Sequence, residues 1–108
     1  MRTDRTRSAA ARSHMHSVTI ADTSLLIGDR IAGEVLRYAA HLEASRRVDD
    51  VTIRAIDPDG QEVSFLLPLG GWVPLVAARS DSTLPEPLNE DALEYIEDRM
   101  ADFAAYPE

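Results

Sequence analysis

The feature that most constrains the fold is a β-hairpin in the middle of the chain. Residues 51–56 alternate between apolar and polar side chains, as in a strand with one buried face. Asp57-Pro58-Asp59-Gly60 follows, with proline at a favoured turn position and a glycine that can adopt a positive φ. Residues 62–67 then predict the returning strand. Two strands that each bury one face need a covering layer, which favours a layered fold built on an antiparallel sheet.

Two segments with helical periodicity can supply that layer. The apolar stripe of the first, from residue 30 to about residue 46, consists of Ile31, Val35, Tyr38 and Leu42. The stripe of the second consists of Leu93, Ile96, Met100 and Phe103. Asp29 and Asn89 precede the two stripes, and their side chains are expected to cap the first free N–H groups of each helix.

Three shorter strands complete the pattern. Residues 17–20 and 25–27 flank turn-forming residues and predict an N-terminal hairpin. Residues 73–78 predict a fifth strand, and Pro74 places it at a sheet edge or delays the start of its ladder. The order β-β-α-β-β-β-α predicts a two-layer α+β sandwich, with an antiparallel sheet of about five strands and two helices on one face. We predict one domain over residues 17–105.

The charge is distributed unevenly along the chain. The formal net charge of the 108 residues is −8. Residues 1–16 hold four arginines and one acid, a charge of +3, whereas residues 17–108 hold seven arginines and 18 acids, a charge of −11. The first segment is interpreted as an over-long start or a cloning remnant, or as a disordered basic arm that touches nucleic acid or folds back on the acidic body. It lacks the apolar segment of a secretory signal, which predicts a cytoplasmic protein.

Residue types that are missing exclude several chemistries. The chain has no cysteine, so disulfides, thiolate metal sites and cysteine nucleophiles are excluded. All 11 basic residues are arginines, which excludes Schiff-base formation and a phosphate-loop lysine. No apolar run approaches the length of a membrane span, and the acidic body has the wrong sign for general nucleic-acid binding. We expect no metal, no cofactor, no membrane association and no direct binding of nucleic acid by the folded body.

Two groups of polar residues could carry chemistry. Asp57, Asp59 and Glu62 could form a weak divalent-cation site, although they fit a hairpin turn better because calcium-loop spacing is missing. His41 could act as a general base oriented by Glu34, although it fits a solvated surface histidine better. No serine elbow or glycine-rich phosphate loop accompanies either group. The chain is therefore predicted not to be an enzyme.

Two surfaces could bind a protein. The first surrounds Trp72, the single tryptophan, and extends along the predicted edge strand through Val73, Leu75 and Val76. Tryptophan is enriched in interface hot spots and an uncovered edge invites pairing, but Trp72 could equally cap one end of the core. The second is an acidic face on the last helix at positions i, i+3, i+7 and i+11, formed by Asp91, Glu94, Asp98 and Asp102. This face either confers solubility or docks on a basic partner.

Three groups of residues also carry a resemblance. They are Ile27-Gly28-Asp29-Arg30, the stretch Leu67-Pro68-Leu69 through Trp72-Val73-Pro74-Leu75, and Glu86-Pro87-Leu88-Asn89 before Leu93-Glu94. In these pieces and their order, residues 17–102 resemble a small actinobacterial domain family of unknown function, some of whose members are labelled ATP-dependent DNA ligases. The resemblance implies the same α+β element order. Ligase adenylation needs a lysine in Lys-x-Asp-Gly, and this chain has Asp57 at that position and no lysine.

The sequence favours a non-enzymatic, cytoplasmic interaction module that forms a homodimer or docks on a protein through its edge strand and Trp72. The alternative is a charge-mimicking regulator, antitoxin-like or competing with nucleic acid, that acts through the acidic last helix.

Overall fold

A computed structural model describes residues 14–71 and 73–105. The elements follow the predicted order: β1 (Met15–Ile20), β2 (Thr23–Gly28), α1 (Asp29–Ala44), β3 (Val48–Ile56), β4 (Glu62–Gly70), β5 (Leu75–Ser80) and α2 (Glu90–Ala105). The five strands form one antiparallel sheet, and the two helices form the second layer. The predicted two-layer α+β fold is confirmed.

The sheet has the strand order β4-β3-β2-β1-β5, so β4 and β5 are its two edges. Residues 71–74 join these edges, and five Cα-to-Cα steps reach at most about 17 Å. Four strand spacings in a flat sheet would span about 19 Å. The sheet therefore curls around α1, which contacts β1, β2, β3 and β4.

One hydrophobic core lies between the concave face of the sheet and the helices. The stripe predicted for α1 is fully buried, each of its residues being at most 1% exposed. In α2, Ile96 is 0% exposed and Phe103 is 8% exposed, while Leu93 and Met100 are partly buried against the same core. Burying a large apolar side chain contributes about 1.5–3 kcal/mol, so these stripes hold both helices on the sheet.

The turn between β3 and β4 is formed as predicted. Gly60 has a φ of +86°, which a residue with a side chain rarely adopts. The Asp57 carboxylate accepts hydrogen bonds from the backbone N–H groups of Asp59 and Gln61, each 3.0 Å long. Asp57 is therefore a turn residue whose charge stabilises the loop backbone.

The first strand begins two residues before its predicted start at residue 17. β1 begins at Met15, whereas residues 15 and 16 were assigned to the basic segment that ends at residue 16. Met15 is 1% exposed and pairs with Gly28 on one side and Ser80 on the other. Only the tertiary structure places strands on both sides of Met15, so alternation alone could not reveal its burial. The remaining residues of that segment, 1–13, lie outside the described residues.

Neither predicted helix cap forms. Gly28 occupies the N-cap position of α1, and Asp29 is instead hydrogen-bonded to His16 Nδ1 at 2.6 Å. The side chain of Asn89, 8% exposed, bonds to β3: its Oδ1 accepts from Arg54 N–H and its Nδ2 donates to Arg54 C=O. β2 and β3 pair at Leu26 and Ile56, beyond which Asn89 supplies the hydrogen bonds that a neighbouring strand would make.

Candidate functional site

β5 is the less protected edge of the sheet. It pairs with β1 from Leu75 to Ser80, and no described strand pairs with its other side. The prediction of an edge position is confirmed, and the ladder begins directly after Pro74. Arg79 is the only charged residue in the strand. The opposite edge, β4, carries proline and charge at Pro68 and Glu62, residue types that prevent strands from pairing.

The residues predicted for the edge surface do not share one face. Val73 and Leu75 are half-buried and pack against the core, whereas Val76 is 63% exposed on the convex face. Trp72 lies outside the described residues, so its role as an anchor stays a prediction.

A groove separates β5 from α1. Its volume is about 370 Å³. The lining is mostly apolar and comes from the exposed side of α1, the end of β4 and the start of β5, including Leu36, Ala39, Pro68, Leu69, Val73 and Leu75. Leu36 is 39% exposed, and Ala77 in β5 is only half-buried. The layer of helices therefore leaves the concave face of β5 partly uncovered beside its free edge.

Two charges of opposite sign border this uncovered strip. Glu43, in the last turn of α1, is the one charged residue among the described residues that line the groove. Arg79 shares a face with Leu75 and Ala77, because it pairs with His16 while they pair with Ile20 and Val18. Neither charge belongs to an ion pair among the described residues.

The acidic face of α2 is exposed as a whole. Asp91, Glu94, Asp98 and Asp102 are all solvent-exposed, and they form no ion pair within the described part of the chain. Their neighbour Glu97 pairs with Arg30 of α1 at 3.2 Å. These four carboxylates are consistent with either predicted role, a solubilising face or a docking face.

A polar cluster that sequence reasoning missed joins α1, β3 and α2. Asp49 Oδ2 accepts hydrogen bonds from the hydroxyls of Tyr38 and Tyr95, each 2.6 Å long. Arg99 Nε lies 3.8 Å from the same oxygen and donates to the Tyr38 hydroxyl at 3.3 Å. The residues lie far apart in sequence, and Tyr38 was counted only as part of an apolar stripe.

Hydrogen bonding and burial shift the pKa values in this cluster. Burial, followed by the hydrogen bond to Asp49, raises the pKa of Tyr38 to about 12. Burial alone would raise the pKa of the Asp49 carboxyl, but the hydrogen bonds from Tyr38, Tyr95 and the Asp50 N–H hold it below its ordinary value. None of these residues lines a described pocket. The hydrogen bonds of this cluster connect α2 to α1 and β3.

The predicted catalytic pair is not brought together. The ring of His41 packs against Phe103 with a centroid distance of 4.4 Å, and Glu34 pairs with Arg37 at 2.7 Å. The described residues contain no group of three or more His, Asp or Glu placed to hold a metal ion. Neither described helix is long and apolar enough to cross a bilayer.

The fold and the uncovered edge define a class: a small two-layer α+β domain with one unprotected edge strand beside an apolar groove. Comparisons of the chain with protein-family models, curated proteins and solved structures found no match.

Proposed function

We propose that this protein is a non-enzymatic interaction module that associates with a second copy of itself through β5. The observation that carries the proposal is the outer edge of β5, which no described strand covers, in a strand with no proline and one charge. Two such edges can pair antiparallel across a two-fold axis and continue the sheet from one copy into the other.

The size of the domain also favours self-association. A chain of roughly 90 residues buries only about 60–65% of the surface that its unfolded chain exposes. Leu75 and Ala77 are half-buried at the margin of the core. A second copy would cover this margin and add apolar contacts that the isolated domain lacks.

The test introduces a charged side chain into the edge strand β5. We expect wild type to sediment as a dimer at high micromolar concentration and Val76→Lys to sediment as a monomer, because a lysine at an edge opposes strand pairing. Val76 is 63% exposed, so the substitution should leave the fold intact. Analytical ultracentrifugation measures the mass, and circular dichroism verifies folding.

Leu66→Lys is the matched control. Leu66 is 59% exposed on the convex face of β4, the opposite edge. The proposal requires that Leu66→Lys remains dimeric. A monomeric wild type, or equal loss of dimer in both variants, would contradict it.

A second candidate function uses the acidic face of α2. Four exposed carboxylates at helical spacing, with no ion-pair partner in the described chain, could compete with nucleic acid for a basic protein. Association with such a partner would weaken as salt rises, because opposite charges drive it. Binding of a polyarginine peptide that is lost in Asp91→Asn/Glu94→Gln/Asp98→Asn would support this function.

A further inference from the structure

A strand pair alone is a small interface for a stable dimer. Five paired residues are only about 17 Å long, and a standard interface buries about 800 Å² on each partner. The missing area has to come from surfaces beside β5. The groove between α1 and β5 adjoins its free edge, and its lining is mostly apolar.

Symmetry restricts how two β5 strands can pair. A two-fold axis that joins antiparallel edge strands runs perpendicular to the sheet, so residues directly opposite each other lie on the same face. The axis therefore passes midway between one residue of β5 and the same residue of the second copy. Leu75, Ala77 and Arg79 face the helix layer, while Val76 and Ala78 face outward. An axis at Ala77 places Arg79 of the second copy opposite Leu75, whereas an axis at Ala78 places it opposite Ala77.

Charge complementarity selects between these registers. Leu75 lines the groove whose single charge is Glu43. Opposite residues in neighbouring strands have Cβ atoms about 5 Å apart, and an arginine side chain reaches beyond its neighbour. With the axis at Ala77, Arg79 of the second copy lies opposite Leu75, which lines the same groove as Glu43. Both residues are exposed and outside the described ion pairs, so each is available to the other copy.

We infer that a second copy of this chain completes the groove, with β5 strands centred on Ala77 and with Arg79 of each copy paired to Glu43 of the other. The inference rests on the proposed self-association. It adds the register in which the two β5 strands pair and a second contact surface, the groove. The two-fold axis generates two symmetric copies of the ion pair. The apolar linings of both grooves come to lie on the same side of the continuous sheet.

Reciprocal charge reversal tests the pairing. Glu43→Arg and Arg79→Glu each bring like charges together at two symmetric places, and each should raise the dimer dissociation constant about tenfold or more. The double variant Glu43→Arg/Arg79→Glu restores opposite charges and should return to within about threefold of wild type. Sedimentation equilibrium measures the constant, and circular dichroism verifies that each variant is folded.

Glu94→Arg is the control for net charge, because it makes the same charge change as Glu43→Arg but lies on α2, away from the groove. It should not weaken the dimer. If both single reversals leave the dimer unchanged while Val76→Lys abolishes it, the inference fails and self-association through β5 stands. If both single reversals weaken the dimer and the double variant does not restore it, the direct pair is refuted. A monomeric wild type overturns the inference and the proposed function together.

Discussion

At the scale of single residues, buried polar groups decide how the elements meet. Asn89 pairs with both backbone groups of Arg54, and the Asp49 carboxylate accepts from two tyrosine hydroxyls. Among the described residues, no buried side-chain nitrogen or oxygen lacks a hydrogen-bond partner. Leaving one partner of such a bond unpaired costs about 1–3 kcal/mol, so these residues specify where α2 and the segment before it can lie.

The raised pKa of Tyr38 predicts alkaline destabilisation. The unfolded chain ionises this tyrosine near pH 10, while the folded chain keeps its proton until about pH 12. The stabilisation, on the order of 2 kcal/mol, is therefore fully present below pH 10 and is lost as pH rises towards 12. Tyr38→Phe should flatten the dependence of the urea midpoint on pH in this range. If the urea midpoint depends on pH equally in wild type and variant, the raised pKa of Tyr38 is contradicted.

At the scale of elements, β1 is an interior strand that pairs along its whole length with β2 on one side and with β5 on the other. Its first residue, Met15, is buried, and the carbonyl of the preceding His14 accepts the N–H of Asp29 at 3.0 Å. His16 adds the side-chain bond to Asp29. The start of β1 therefore also fixes the start of α1, and the two elements should be lost together.

Two truncations test whether the stability of the fold depends on the start of β1 or on the residues before it. Removing residues 1–13 leaves every contact described for β1 and should change Tm by no more than about 2 °C. Removing residues 1–16 deletes the buried Met15 side chain and should lower Tm by roughly 8 °C or more. Differential scanning calorimetry measures both. A loss of several degrees in the shorter truncation would show that residues 1–13 dock on the fold.

At the scale of the whole molecule, charge opposes the association that the free edge favours. Residues 17–108 carry a net charge of −11, so two copies repel each other over long distances. This repulsion is screened beyond about 10 Å at 0.1 M salt. The two proposed intermolecular ion pairs would weaken with salt as well, but an exposed pair contributes less than about 1 kcal/mol.

Dimerisation should therefore strengthen as sodium chloride is raised from about 0.05 M to about 0.5 M. Sedimentation velocity at several protein concentrations measures the change in the monomer–dimer equilibrium. Glu94→Arg, which makes each copy less negative by two charges, should show a smaller dependence on salt than wild type. Weakening of the wild-type dimer as salt rises would mean that attraction between opposite charges, rather than apolar contact and strand pairing, holds the copies together.

The element order, the Asp57–Gly60 turn and the buried stripe of α1 could be predicted from the sequence, because strand alternation, turn geometry and helical periodicity depend on residues close together in the chain. Pro74 also indicated that β5 is an edge strand. The remaining features depend on contacts between distant segments. Asp29 and Asn89 are predicted to cap helices, but the side chain of Asp29 bonds to His16 of β1 and the side chain of Asn89 bonds to the backbone of Arg54 in β3. The Asp49 cluster and the groove between α1 and β5 combine residues distant in sequence, and only the packing of the helices on a curled sheet brings them together.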